Sequence, residues 1–338
     1  MTRLPHFAVP AVLCGVGTAL PDRAVSNDEI GGQIGVSEDW IMQRTGISSR
    51  LRCGTGTSTA DLAVGAGAAA LESSGGQPVE AVIVATATPD HLMPATAPTV
   101  AARLGLTGVA AFDVAAACTG LLYALQVAHG FICTGSAQRV LVIAADRLSH
   151  TTDPSDPATA PLFGDGAAAV VLRRGRADEP GALGPIVLGA DGQHADALVI
   201  PHGRFMRMRG REVFQHAITH LVQVSEQATS AAGWSPGDID RLVPHQANAR
   251  ITTAVAQRLG VDRRHVLESI EELGNTSVAS IPLTLARAAA GGGLREGHRV
   301  LLAAFGAGLT WGATTLVWPR LECVAGHPNT PDRLEAAR

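Results

Sequence analysis

A layered α/β fold built from two like halves is what this sequence predicts, on three observations. Continuously apolar segments of strand length, such as 79–86 and 139–145, alternate with Ala-rich segments of helix length, the pattern of parallel strands buried on both faces and covered by helices. The order strand, helix, strand, small-residue turn, helix, strand and Gly-rich return occurs twice, with 112–125 standing where 273–285 stands; an ancestral duplication leaves such a record. Finally, 338 residues of 46% hydrophobic but only 4% aromatic content supply ample core from small aliphatic side chains that let elements approach closely. The expected architecture is α-β-α-β-α, with halves over 1–175 and 185–322, a Gly/Pro-rich connector at 173–184 and a polar tail over 323–338.

In chain order, 9–18 reads as a first strand closed by Pro21-Asp22, and Ser26 with Glu29 three residues on reads as a capping box opening a helix. Residues 37–46 read as a short helix stopped by Gly46, on which Trp40 and Arg44 share a face. That pair is open to two readings, surface packing or a platform for a nucleotide. A long helix over 57–74 precedes the strand 79–86, a helix over 97–104, the strand 112–114, and then the strands 139–145 and 163–172. In the second half a helix over 212–233, the strand 240–245, a helix over 249–259, a strand near Val266, a helix over 281–290 and the strands 299–304 and 310–318 follow. From Ala325 onward the polar, proline-containing tail is expected to fray.

The bulk numbers exclude several classes. A net charge of -4 gives no global pull toward nucleic acid or an anionic membrane. Five cysteines without a CxxC pair or regular spacing argue for reduced thiols, against a disulfide scaffold or a zinc knuckle, and no metal site is expected. The N-terminus lacks a signal-like apolar core and no apolar run of about 18 residues stands out, so the chain reads as soluble and cytoplasmic.

The chemistry concentrates at Cys118, where an apolar run meets a helix of helically spaced apolar residues, 119–125. At a helix N-terminus the macrodipole favours an anion, so the thiol is expected to ionise more easily than the free group and to act as a nucleophile. The same residue is equally readable as a buried small hydrophobe. Val243-Pro-His245-Gln-Ala-Asn248 and Gly274-Asn275-Thr-Ser277 fall at further strand-to-helix turns, so Cys118, His245 and Asn275 can converge on one pocket at the sheet ends. There the cysteine would accept an acyl group while His245 and Asn275 donate hydrogen bonds to a carbonyl that gains negative charge. Taken singly, each has an ordinary reading: a satisfied histidine among 12, or a plain helix cap.

These stretches, with Phe163-Gly-Asp-Gly166 and Phe305-Gly-Ala-Gly-Leu-Thr-Trp-Gly312, resemble the beta-ketoacyl-ACP synthase III family of thiolase-fold enzymes, over about 12–317. The resemblance implies a thiolase-like five-layer fold and a homodimer that takes acyl-CoA and an acyl carrier protein as partners, without a cofactor or metal. It implies decarboxylative condensation: Cys118 carries the starter acyl group, and His245 and Asn275 promote decarboxylation of malonyl-ACP. By the same resemblance the N–H groups of Cys118 and Ala307 would form the oxyanion hole. Trp40, Arg44 and His150 would hold the CoA nucleotide, Phe214, Asn248 and Phe305 the tunnel, and Arg250 the acidic carrier protein. His150 stands where well-known members carry an arginine. Met93 would lie in the loop that the dimer partner contributes to the acyl pocket, where acetyl-restricted members carry phenylalanine, and so leans toward a non-acetyl starter. The region 191–211 is short relative to the family and crowded with His202, Arg204, Arg207, Arg209 and Arg211. Two other outcomes are weighed: a non-decarboxylating acyltransferase on the same scaffold, and a catalytically silent partner subunit.

Overall fold

The computed structural model describes residues 10–328 and 330; the readings that fall on 1–9, 329 and 331–338 lie outside them. Strands Ala11–Ala19, Ala81–Ala85, Ala110–Val114, Arg139–Arg147, Asp165–Arg174 and Cys323–Gly326 form one sheet. From one edge inward it runs Cys323–Gly326, Ala11–Ala19, Asp165–Arg174, Arg139–Arg147, Ala81–Ala85 and Ala110–Val114. A second sheet orders Val187–Ala190, Thr310–Val317, Arg299–Gly306 and Arg241–Pro244. In each, the first two contacts of the shared order are antiparallel and the next is parallel. The second sheet thus repeats the first from Ala11–Ala19 onward, and its fifth strand is reduced to a single parallel bridge, Leu242 to Val266. The duplication is borne out; the predicted strand near Val266 fails because the charged stretch Arg263–His265 turns as a short 3₁₀ helix just before it.

Alternation along the strands builds the layers. Ala81, Ile83 and Ala85 join a core that includes the helices Gly120–Thr134 and Ser280–Ala290 and the second sheet's Val300, Leu302 and Ala304. Val82 and Val84 face the other way, onto the helices Thr59–Ser73 and Thr96–Arg103. Leu301 and Ala303 likewise pack on the helices Gly210–Ala231 and Ala249–Leu259. Five layers result, as expected. A fully buried side chain such as Ile83 contributes roughly 1.5–3 kcal/mol. The Ala-rich outer helix lies so close to the first strand that a Cβ on Gly17 would come within 2.2 Å of the Ala70 nitrogen. Small residues permit that approach.

Three expectations need correction. Residues 323–326, read as tail, form a strand parallel to Ala11–Ala19. Ser26 does cap its helix, but the Glu29 carboxylate turns to Arg23 instead of closing the box; complete capping boxes stand at Ser58 with Asp61 and at Ser235 with Asp238. The helical run 117–134 is long and apolar enough to cross a membrane, contrary to the sequence reading, yet it is the central helix and 56% of it is buried within the protein.

Candidate active site

Cys118 lies on the 3₁₀ turn Ala117–Thr119 that leads from Ala110–Val114 into the central helix, so its place at a helix N-terminus is as expected. The turn Ser277–Ala279 opens the equivalent helix of the other half. Each turn begins on a residue at positive φ, Ala117 at +45° and Ser277 at +51°; among the described residues they are the only non-glycine residues there. Strain of this kind persists only where surrounding structure enforces it. Here it places two like turns end to end at the junction of the halves. Asn275 is pinned on both sides: its N–H donates to the Leu162 carbonyl at 2.8 Å and its carbonyl accepts from Gly164 at 3.0 Å. His245 follows Arg241–Pro244 and donates its N–H to the Ala303 carbonyl at 2.7 Å.

Cys118, His245 and Asn275 all line one cavity of about 400 Å³. Cys118 also borders a second cavity of about 190 Å³, walled by Leu148, Phe163, Leu198, Ile200 and Met206. The sulfur therefore stands at the junction of two cavities, a larger tunnel and a smaller apolar chamber. Ala307 lines the smaller chamber. It is held close because a Cβ on Gly306 would reach 2.9 Å from the Cys118 nitrogen, and because Thr310 Oγ1 donates to the Ala116 or Ala307 carbonyl.

The electrostatics separate the three residues. Contrary to expectation, the Cys118 thiol is pushed up to about 12, first by burial and further by the Asp146 carboxylate, against a hydrogen bond from Ser277. The helix terminus is present, but burial at 8% exposure outweighs it. Ser277 Oγ donates to Sγ at 3.4 Å. Asp146 is wholly buried; burial raises its carboxyl, against the Ser277 hydroxyl, the Ala87 N–H and the Thr86 and Thr88 hydroxyls. Burial pushes the His245 imidazole down to about 4, so it is neutral. Its Nδ1 lies 2.7 Å from Ser280 Oγ, which already accepts from the Gln246 N–H at 3.3 Å. The tautomer follows from how that hydroxyl turns: with the serine proton directed at Nδ1, the imidazole proton sits on Nε2. Asn275 Oδ1 accepts from the Ser277 N–H at 2.9 Å, so Nδ2 is the end left to donate. In that tautomer two neutral N–H donors stand on the cavity that Cys118 lines.

Of the expected binding residues, Trp40, Arg44, Phe214, Asn248, Arg250 and Phe305 line the tunnel. The Arg44 guanidinium stacks 4.2 Å over Trp40, and Asn248 Nδ2 holds the Arg44 carbonyl at 3.0 Å. Two expectations are not met within one protomer. His150 is exposed on the 3₁₀ turn Leu148–Thr151 and lines neither cavity. Met93 is 87% exposed and lies on neither cavity of its own chain. Not anticipated were roles for Asp146, Ser277, Ser280 and Arg211, the last a third arginine on the tunnel wall. Both serines stood inside the stretch 274–280; the depth of Asp146 left no sequence signal.

Ser277→Ala is a direct test of the thiol's setting. Alanine already occupies a similar backbone conformation at 117, so the turn is kept and the loss is the Ser277 hydroxyl's hydrogen bonding, to Sγ and toward the Asp146 carboxyl, worth about 0.5–1.5 kcal/mol at the sulfur. The thiol moves further up, and labelling by iodoacetamide at fixed pH slows roughly three- to tenfold. An unchanged pH–rate profile would refute the bond's role.

Comparison with known proteins gives one consistent result. Family models described as 3-oxoacyl-[acyl-carrier-protein] synthase III match residues 112–192, and its C-terminal model matches 229–318. Beta-ketoacyl-[acyl-carrier-protein] synthase III 3 of Streptomyces coelicolor is 48% identical over 331 residues, covering 93% of this chain and 99% of the relative. The crystal structure of 3-oxoacyl-(acyl carrier protein) synthase III from Pseudomonas aeruginosa superposes with TM-score 0.90 at 45% identity, covering 92% of this chain and 99% of that one. The priming beta-ketosynthase of the R1128 polyketide biosynthetic pathway is similar with TM-score 0.86 at 36% identity, covering 93% and 99%.

Proposed function

Because this chain belongs to the beta-ketoacyl-ACP synthase III family, we propose that it condenses a starter acyl group, taken from acyl-CoA onto Cys118, with malonyl-ACP. The observation that carries the reading is one sulfur between a tunnel and an apolar chamber, with two neutral N–H donors on the tunnel that the sulfur lines. Acylation forms the S–C bond at Cys118 and breaks the CoA thioester; the proton that Cys118 loses ends on the departing CoA thiolate. In the second step the malonyl C–C bond breaks and carbon dioxide leaves. Negative charge on the remaining thioester oxygen meets His245 Nε2–H and Asn275 Nδ2–H. The carbanion attacks the acyl carbonyl, whose oxygen meets the Cys118 and Ala307 N–H groups, and expulsion of the Cys118 thiolate yields the beta-ketoacyl-ACP. Every developing charge is met by a side chain or backbone donor, so the reading calls for no cofactor.

Trp40, Arg44, Arg211 and Arg250 surround the tunnel with one aromatic plate and three cations, which suits the phosphates and adenine of CoA or the phosphate of a carrier-protein arm. A homodimer and a cytoplasmic location belong to the same reading. An open edge at Ala110–Val114, with Leu92 85% and Met93 87% exposed, supports pairing with a second copy.

The smaller chamber indicates the starter. A hydrocarbon cavity of about 150 Å³ accepts benzene; the roughly 190 Å³ beside Cys118 in one protomer, an upper bound that a partner's loop around Met93 would reduce, has room for a chain beyond acetyl, of up to about seven carbons. Intact-protein mass measurement with a panel of straight and branched acyl-CoAs, followed by malonyl-ACP, tests this. Expected is an adduct on Cys118 that forms fastest with a chain beyond acetyl, of up to about seven carbons, and discharges with loss of carbon dioxide. An adduct that malonyl-ACP cannot discharge would instead identify a non-decarboxylating acyltransferase. No adduct with any acyl-CoA would identify a silent partner subunit or an enzyme that takes its acyl group only from a carrier protein.

A further inference from the structure

We propose that His194, Glu212 and His216 form a binding site for a divalent first-row metal ion, with Zn²⁺ the best match, on the outer side of the helix that walls the tunnel. Glu212 and His216 are four residues apart on the helix Gly210–Ala231 and so share one face. His194 is brought to them by the short 3₁₀ segment Gly192–Ala197. One donor atom from each lies within 4.8 Å of the other two, and among the described residues no other three such groups come together so closely. His194 Nδ1 is already 3.0 Å from Glu212 Oε1, against about 3.3 Å between ligands of a tetrahedral zinc ion with bonds near 2.0–2.1 Å.

Two imidazoles and one carboxylate are the donor set of an open zinc centre, with the remaining positions left to water. All three residues are partly exposed, so an ion can reach them. The supports are in place as well. Arg209 binds the Glu212 carboxylate through Nε at 2.7 Å and is itself held by Asp196, which orients the carboxylate without using every lone pair. The His216 ring makes no hydrogen bond among the described residues; it packs 4.4 Å from His194 and stacks 5.8 Å from His220. His220 in turn stacks 3.8 Å from Trp311, which fixes the row of rings from behind. Binding replaces the His194–Glu212 hydrogen bond, and the proton on Nδ1, where present, moves to Nε2 or to solvent.

The site would act as a clamp. Phe214, between Glu212 and His216, lines the tunnel, and Leu198, just past the segment that carries His194, lines both cavities. An ion there ties residues 192–197 to the tunnel helix. Its existence does not depend on the condensing activity.

The experiment uses the full chain, reduced and freed of metal by chelation, titrated with Co²⁺ and then Zn²⁺. Expected are one equivalent of Co²⁺ with a visible ligand-field band, displacement of that band by Zn²⁺, and slower backbone hydrogen exchange over 192–209 when metal is bound. His216→Ala, His194→Gln and Glu212→Gln should each weaken binding at least about tenfold, while the starting helix content is kept because these side chains are partly exposed. Binding that persists unchanged in His216→Ala and His194→Gln, a thiolate-to-cobalt charge-transfer band, or no binding at millimolar metal would each overturn the proposal.

Discussion

Cys118→Ala is expected to form no acyl adduct with any acyl-CoA and to lower condensation by about 10⁴-fold or more, as loss of a catalytic nucleophile does elsewhere. The protein itself should be little disturbed. The side chain is small, borders cavities on two sides and makes one weak hydrogen bond, to Ser277, so the stability change should stay within about 1 kcal/mol. The variant also separates the two halves of the reaction. Neither the bond from Ser277 N–H to Asn275 nor that between Ser280 and His245 involves the sulfur. Malonyl-ACP should therefore still lose carbon dioxide on Cys118→Ala, slowly and without giving a condensed product. Mass measurement of the protein and of released carbon dioxide reads both effects. An adduct that persists, on any of the other four cysteines, would remove Cys118 from the nucleophile's place.

What was legible in the sequence followed from local pattern and from repetition. The helix 249–259 lies where periodicity put it, and the two small-residue turns fall at equivalent places because duplication preserved their chemistry. Convergence of Cys118, His245 and Asn275 followed from the same argument. Long-range pairing was not legible: the strand Cys323–Gly326 exists only because the first strand, some three hundred residues earlier, offers it an edge. Depth was not legible either. The sequence placed Cys118 at a helix terminus and so suggested an easily ionised thiol, but it carried no sign that Asp146, at the end of an apolar strand, would be buried beside it. The position of His150 off both cavities was not legible for a related reason, since where a 3₁₀ turn sits depends on the packing around it. Arg211 was seen as one of a crowd of cations, and only the fold singles it out as part of the tunnel wall.

His245→Ala and Asn275→Ala should divide the reaction in the opposite way. Acylation by acyl-CoA should proceed within about threefold of the parent, because neither side chain is bonded to Sγ, whereas condensation should fall about 10²–10³-fold for each, the cost of removing one donor from a developing oxyanion. The pH profile discriminates among roles for the histidine. Its pKa is depressed to about 4 by burial, below the ordinary 6.5, so protonation begins only as the pH falls toward that value. Between pH 5 and 9 the imidazole is neutral, and its donor role adds no limb to the condensation rate. A histidine that worked as an imidazolium would instead lose activity as the pH rose through 6.5. A third variant tests the tautomer. Ser280→Ala leaves both donors in place but removes the hydroxyl that holds Nδ1 as an acceptor, so the imidazole proton is free to shift away from Nε2. Condensation should drop by roughly tenfold, less than for His245→Ala, with acylation unchanged. Parental condensation rates in His245→Ala and Asn275→Ala would refute the oxyanion role of the pair, and a parental rate in Ser280→Ala alone would refute only the assignment of the proton to Nε2.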